Sequence, residues 1–320
     1  MNPTETIKDY ILTRCRMDAV GIAPVSALAD EPAGKCPEDI LPGAKSIIVF
    51  LRRIPDGAFQ AAFRAHEDGN PDAFSAYAAY ARELTPNMNL FFMQFHVSEF
   101  IETRFGHTAV AIPSGPMQNV SSTNLPLPAF VGPKQCYYLL NAPRAAMAAG
   151  LGEIGWNNAF LSPEFGPRQA IGLVLTTMEL DCDAPYTGEK LCDPVSCGIC
   201  SKVCPMGAIP SPEGESEELG VCGRSYSVGK LNVNACAVAS LAFRREFSGK
   251  LDMPDLISGN APSDEELAGA FARKPINDYA LGHHPNYFCD KCTLYCPVGR
   301  WRERFGDTGL SSFGREESVQ

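Results

Sequence analysis

The arrangement of cysteines in the C-terminal half constrains this chain more than any other feature. One group reads Cys192-x4-Cys197-x2-Cys200-x3-Cys204-Pro205 and a second reads Cys289-x2-Cys292-x3-Cys296-Pro297. A four-iron cube needs four thiolates disposed tetrahedrally around it. A C-x2-C loop wraps several corners of one cube, while the cysteine that precedes proline reaches the neighbouring cube in two-cluster proteins. Proline there removes a backbone N–H and turns the chain away from the sulfur-rich site. The crossover rule gives Cys192, Cys197, Cys200 and Cys296 to one [4Fe–4S] cluster. It gives Cys204, Cys289, Cys292 and one further cysteine to the other. Cys236 and Cys222 are the candidates for that place. Cys236 is preferred because it opens a helix after Leu231-Asn232-Val233-Asn234. Structural zinc also uses C-x2-C pairs, but does not call for C-x3-C-P twice. The x4 spacing after Cys192 departs from the usual loop and makes it the weakest member of its set.

The rest of the chain agrees with metal rather than disulfides. Thirteen cysteines in 320 residues is a high count for a protein that opens with no apolar signal core and no twin-arginine pair. We read it as cytoplasmic, where clustered thiols point to metal or catalysis. No apolar run is long enough to span a bilayer. Net charge is −10 with a pI near 5.1, so no basic face is evident for neutralising phosphates, and nucleic acid is an unlikely partner on that ground. Cys15 reads as core on a helix face, Cys36 and Cys182 as loop residues, and Cys136 stands beside two tyrosines.

Ahead of the cysteines, strands alternate with helices. Residues 4–18 carry Ile7, Ile11, Leu12 and Cys15 on one helical stripe, and 19–23 reads as a short strand stopped by Pro24. The β-branched run 45–51 reads as a buried central strand. Residues 71–105 read as helix broken at Pro86, and 107–112 and 169–177 as further strands. This pattern predicts an α+β fold: a layered N-terminal domain over 1–185, a polar turn-rich boundary near 181–188, and a ferredoxin-like two-cluster domain over 186–320. In the second domain, 234–247 and 263–273 read as helices, the latter opened by a Ser263…Glu266 capping box, and 210–218 as an exposed acidic loop.

Gly150-Leu-Gly152-Glu-Ile-Gly155 matches G-x-G-x-x-G in form. The alanine-rich residues before it, 142–149, read as helix, whereas a dinucleotide site requires a strand there. The glycines instead allow a close approach of backbone to a flat group or to another segment. Ser162-Pro-Glu-Phe-Gly-Pro-Arg168 follows as a turn feeding the strand 169–177.

Taken together, Ala149-Gly-Leu-Gly-Glu-Ile-Gly155, the Ser162–Arg168 turn with its strand, and the double cysteine module resemble the epoxyqueuosine reductase and reductive dehalogenase superfamily. Leu41-Pro-Gly-Ala-Lys-Ser-Ile-Ile-Val49 resembles an early strand of that family. The resemblance implies a corrinoid-binding domain, with cobalamin held base-off, fed by two clusters. Gly150, Gly152 and Gly155 would shape the pocket floor, with Arg168 nearby. Two features depart from the epoxyqueuosine reductases. Trp156 stands where they usually carry lysine, and Cys136-Tyr-Tyr-Leu-Leu-Asn-Ala-Pro143 contains no acid to donate a proton. Tyr137 and Tyr138 are the substitutes considered for that role.

The expected function is an iron–sulfur oxidoreductase that passes electrons from a low-potential donor of ferredoxin or flavodoxin type, through two [4Fe–4S] clusters, to a corrinoid that reduces a small organic substrate. One alternative is a non-catalytic electron-transfer protein that docks on a redox partner. Another is epoxyqueuosine reduction on tRNA.

Overall fold

The computed structural model describes residues 2–68, 89–112, 140–240, 242–247, 254–273 and 289–300. Its centre is the apolar run noticed in the sequence. Strands β1 (Ala19–Pro24), β2 (Ser46–Arg53) and β3 (Ala109–Ile112) join the two-residue strands β4 (Glu153–Ile154) and β5 (Phe160–Leu161) and the long β6 (Gln169–Thr176). Four of them form one sheet in the order β1-β2-β6-β3, antiparallel throughout. In its register Val49 faces Gly21 on one side and Leu173 on the other.

Both inner strands are buried along most of their length, and the period of two explains why. Ile47, Val49 and Leu51 join Ile171, Leu173 and Leu175 on one face, under the helix Ala142–Ala148. Ile48 and Phe50 join Ala170 and Val174 on the other, under Ile7, Ile11, Val97 and Ile101. The latter come from the helix Pro3–Asp9, its π-helical extension Tyr10–Arg14, and the helix Leu90–Phe105. A continuous β-branched run is what a strand covered on both faces requires. Cys15 is buried in this layer, and burial pushes its thiol up to about 11.

Helix ends follow local chemistry. Asn2 caps the first helix by accepting from the Thr4 N–H at 3.0 Å, with Pro3 in its first turn. Gly106 ends the helix Leu90–Phe105 in a left-handed conformation. The Ser263…Glu266 capping box forms in both directions, at 2.8 and 3.2 Å, and opens the helix Asp264–Arg273.

Several expectations change. The helix expected over 234–247 stops early, as Val233–Ser240, and Ala242 takes a left-handed φ of 52° before a short 3-10 turn at Arg245–Phe247. Most of the region read as an acidic loop leads into a hairpin, β7 (Ser216–Val221) and β8 (Arg224–Gly229). The hairpin buries Val221 and Val228 in the same core as the helix Ala142–Ala148, so chain from beyond residue 186 completes the first layer. The turn-rich segment near 181–188 is tied to the N-terminal elements by hydrogen bonds. Asp183 accepts from the Ile22 N–H at 2.7 Å and pairs with Lys8 at 2.7 Å, and the Asp181 N–H donates to Thr4 at 3.0 Å. The helix Asp56–Asp68 was not anticipated. The expected helical stretch 71–88 lies outside the described residues. No helix among the described residues is long and apolar enough to cross a membrane.

Gly21 marks a close contact between the sheet and the end of the helix layer: a Cβ there would stand 2.3 Å from the Ala149 carbonyl oxygen. Backbone cannot yield as a flexible side chain can, so Gly21→Ala should cost about 2–3 kcal/mol. Urea unfolding should show this as a lower midpoint with an unchanged slope. A loss under about 0.5 kcal/mol would contradict the contact.

Candidate metal centre

The first cysteine group is built from two short helical turns separated by glycine. Asp193 accepts from the Val195 N–H at 3.3 Å and Pro194 starts the turn Pro194–Cys197. Gly198, at φ 60°, breaks it and allows a second turn, Ile199–Val203. Cys197 and Cys200 therefore flank a left-handed glycine, a position L side chains adopt only with strain. The second group sits on the turn Lys291–Leu294, which packs against Ile199–Val203. Cys236 lies on the helix Val233–Ser240, where the Asn232 side chain accepts from the Ala235 N–H at 2.9 Å. The Asn232 N–H in turn holds the Ala208 carbonyl at 2.8 Å, beside the Cys204 loop.

These segments bring the thiols into two adjacent sets. Cys192, Cys197, Cys200 and Cys296 line one cavity of about 260 Å³ with Trp156, Asn157 and Leu161. Cys200 lies within electrostatic reach of the other three. Cys289 in turn senses Cys236 and Cys204, and Cys292 senses Cys236 and Cys289. Cys204, Cys236 and Cys289 all border the apolar cluster of Met206, Val238, Phe243 and Leu267. Cys222 stands elsewhere, exposed at the hairpin tip with a left-handed φ of 48°, and its thiol neighbour is Cys182. None of the twelve described cysteines forms a disulfide.

Electrostatics in both sets oppose ionisation without a cation among the sulfurs. Burial, then neighbouring thiols, pushes Cys200 up to about 12. Burial does the same for Cys289, also to about 12, and raises Cys292 well above its ordinary value. Burial also lifts Cys296 to about 11, against the pull of the Arg168 guanidinium. Sulfur ligates as the thiolate, so a cationic metal core relieves this cost. Among the described residues, no three Cys, His, Asp or Glu side chains stand close enough to hold a single ion. A lone zinc would need its thiolates roughly 4 Å apart, whereas thiolates bound one to each iron of a four-iron cube radiate outward and stand farther from one another.

The turn after the helix Ala142–Ala148 reaches both sets. The Trp156 N–H donates to the Cys192 sulfur at 3.4 Å and its indole to the Pro210 carbonyl at 2.9 Å. The Asn157 amide approaches the Cys292 carbonyl at 3.5 Å, and Asn158 donates to Gly229 at 2.7 Å. The Ser162–Arg168 turn docks on the Cys296-Pro-Val-Gly loop. A Cβ on Gly166, at φ 57°, would stand 2.0 Å from the Val298 carbonyl oxygen. Arg168 is 2% exposed and donates to the carbonyls of Val298, Leu294 and Cys296 at 3.1, 2.9 and 2.7 Å.

The glycines expected to floor a corrinoid pocket each lie against the chain itself. A Cβ on Gly150 would meet the Ala184 carbonyl oxygen at 2.3 Å, on Gly152 that of Leu161 at 1.9 Å, and on Gly155 the Asn157 side chain at 2.9 Å. The missing side chains make room for the chain itself, and Arg168 holds a cysteine loop. Tyr137 and Tyr138 lie outside the described residues. Arg168 immediately precedes β6, and its role depends on contacts with a segment far along the chain that the local sequence does not display.

No protein-family model matches the chain, nor does any curated protein. Solved structures do. An epoxyqueuosine reductase aligns at 15% identity over 93% of this chain and 66% of its own, with a TM-score of 0.50. The chain shares the fold of epoxyqueuosine reductase. It spans just under two thirds of that protein's length. A second epoxyqueuosine reductase, solved with a tRNA stem loop, aligns at 13% identity over 97% of this chain and 76% of its own, TM-score 0.45. A reductive dehalogenase whose structure suggests a mechanism for B12-dependent dehalogenation aligns at 18% identity over 70% and 27%, TM-score 0.42. The expectation that nucleic acid is an unlikely partner, drawn from net charge, gains no support from a fold that epoxyqueuosine reductase carries.

Asn158 is buried with a left-handed φ of 62°, which asparagine tolerates better than alanine. Asn158→Ala removes both that tolerance and the bond to Gly229, and should cost about 2–3 kcal/mol. Asn158→Gly should recover part of the loss in thermal unfolding. Equal losses in the two variants would show that the conformation contributes nothing.

Proposed function

We propose that this protein is an iron–sulfur oxidoreductase that carries single electrons through two four-iron clusters. The observation that carries the reading is the convergence of two distant cysteine stretches into crossing sets of four. In this reading Cys192, Cys197, Cys200 and Cys296 hold one cluster, and Cys204, Cys236, Cys289 and Cys292 hold the other. When bound, the clusters would supply one-electron storage at low potential.

The chain's own residues have definable tasks. The Trp156 and Ala208 N–H groups donate to the Cys192 and Cys204 sulfurs, at 3.4 and 3.2 Å. Such bonds stabilise negative charge on a thiolate. Apolar side chains of Met206, Val238 and Phe243 keep water from the second set. Adjacency of the sets, with Cys292 sensing Cys200 across the divide, suits electron passage between them. A low-potential donor of ferredoxin or flavodoxin type would supply the electrons.

The acceptor separates two readings. The first keeps a corrinoid that reduces a small organic substrate, as the sequence resemblance implies; no step is assigned to it, because Gly150, Gly152, Gly155 and Arg168 are committed elsewhere. The second is an electron-transfer protein that docks on a redox partner, and the self-filled glycine turn favours it. Epoxyqueuosine reduction on tRNA is the third reading, and it rests on the shared fold alone.

Anaerobic reconstitution should give about eight iron and eight sulfide per chain. Cys236→Ser should lose about half of both, and Cys222→Ser should lose none. Retention of full iron by Cys236→Ser would remove that residue from the ligand set. Cobalamin added to the loaded protein discriminates the acceptors: a base-off spectrum supports the corrinoid, and an unchanged spectrum supports the docking reading.

A further inference from the structure

We propose that Arg168 tunes the potential of the cluster held through Cys296, acting as a permanent buried cation locked beside one of the two clusters. The inference rests on the two-cluster reading above. Its basis is geometric. Arg168 sits at the entry to β6, the most deeply buried strand, and is itself 2% exposed. Three bonds of 2.7 to 3.1 Å fan from its guanidinium to the carbonyls of Cys296, Leu294 and Val298, so the charge sits within one residue of a cluster ligand. The Phe59 ring lies 5.4 Å from the guanidinium carbon and helps to fix its plane. Gly166, two residues earlier, lets the same turn press on the Val298 carbonyl.

An arginine stays protonated at any pH the protein meets. Reduction by one electron adds one negative charge to a cluster, and a fixed cation in a poorly screened interior stabilises the product more than the reactant. Charge and hydrogen bonding near the sulfurs are established determinants of cluster potential. The second set has a different neighbour: the buried carboxyl of Asp290, adjacent in sequence to Cys289. Lys190 and Asp193 also border the first set, but both are exposed and carry opposite charge, so solvent screens them; Lys291, between Cys289 and Cys292, is part-exposed and likewise screened. The two clusters therefore differ in potential, with the Cys296-held cluster reduced first.

The experiment is a dithionite titration of the anaerobically reconstituted full chain, followed by electron paramagnetic resonance. Wild-type protein should reduce in two separate steps, the first assigned by its change in Cys296→Ser. At the poise where that cluster is half reduced in wild type, Arg168→Gln should lower its reduced-to-oxidised ratio about tenfold, or about 59 mV for one electron. The other cluster should move by less than a third of that. Arg168→Lys, which keeps the charge and loses the fork, should stay within about threefold of wild type. Should the glutamine variant fail to load iron, wild type and the lysine variant decide. A single shared potential in wild type overturns the proposal, as does a lysine variant that falls the full tenfold. Equal displacement of both steps in the glutamine variant also overturns it, since that signals a general disturbance. Failure of wild type to take up iron and sulfide sinks the two-cluster reading itself, and is seen before any titration.

Discussion

Thiols withdrawn from water and crowded together resist ionisation, and the C-terminal architecture is organised around that constraint. Burial, helped by the sulfurs nearby, holds Cys200 and Cys289 up to about 12. A chain that only needed small apolar residues here could have used alanine, as the helix Val233–Ser240 does at its neighbouring buried positions. Side chains that cost free energy to ionise are worth collecting only where a cation offsets the cost. That is the physical content of the two-cluster reading.

Meeting the constraint requires rigid support from the other half of the chain. β6 is covered on both faces, and Arg168 extends from its entry to three carbonyls of the second cysteine loop. The helix Ala142–Ala148 packs on β1, β2 and β6 and delivers the glycine turn that carries Trp156 to Cys192. Both arms start from the same core. The hairpin β7–β8 closes the arrangement from the C-terminal side, through Val221 and Val228 in that core and through the bond from Asn158 to Gly229.

The glycine turn shows how a motif can serve packing rather than binding. Gly150 and Gly152 face carbonyl oxygens of Ala184 and Leu161 so closely that any Cβ would force backbone apart. Close approach is a use of glycine independent of any ligand. The shared fold with epoxyqueuosine reductase fits a common scaffold, on which activity depends on the residues placed there.

The sequence by itself determined what depends on short range. The β-branched run 45–51 reads as a buried strand, the Ser263…Glu266 box opens its helix, and the alanines before the glycine turn read as helix where a dinucleotide site needs a strand. Cysteine spacing also established that Cys197 and Cys200 share a loop. Tertiary structure decided what depends on segments far apart in the chain. It set Cys236 rather than Cys222 beside Cys289, because the choice turns on a hairpin whose tip projects to solvent. It gave Arg168 to the cysteine loop and filled the glycine turn with Ala184 and Leu161, contacts no local pattern encodes. Left-handed Ala242 cut short a helix whose composition favoured continuation. Propensity and spacing act over a few residues, whereas these outcomes come from packing between segments as much as 130 residues apart.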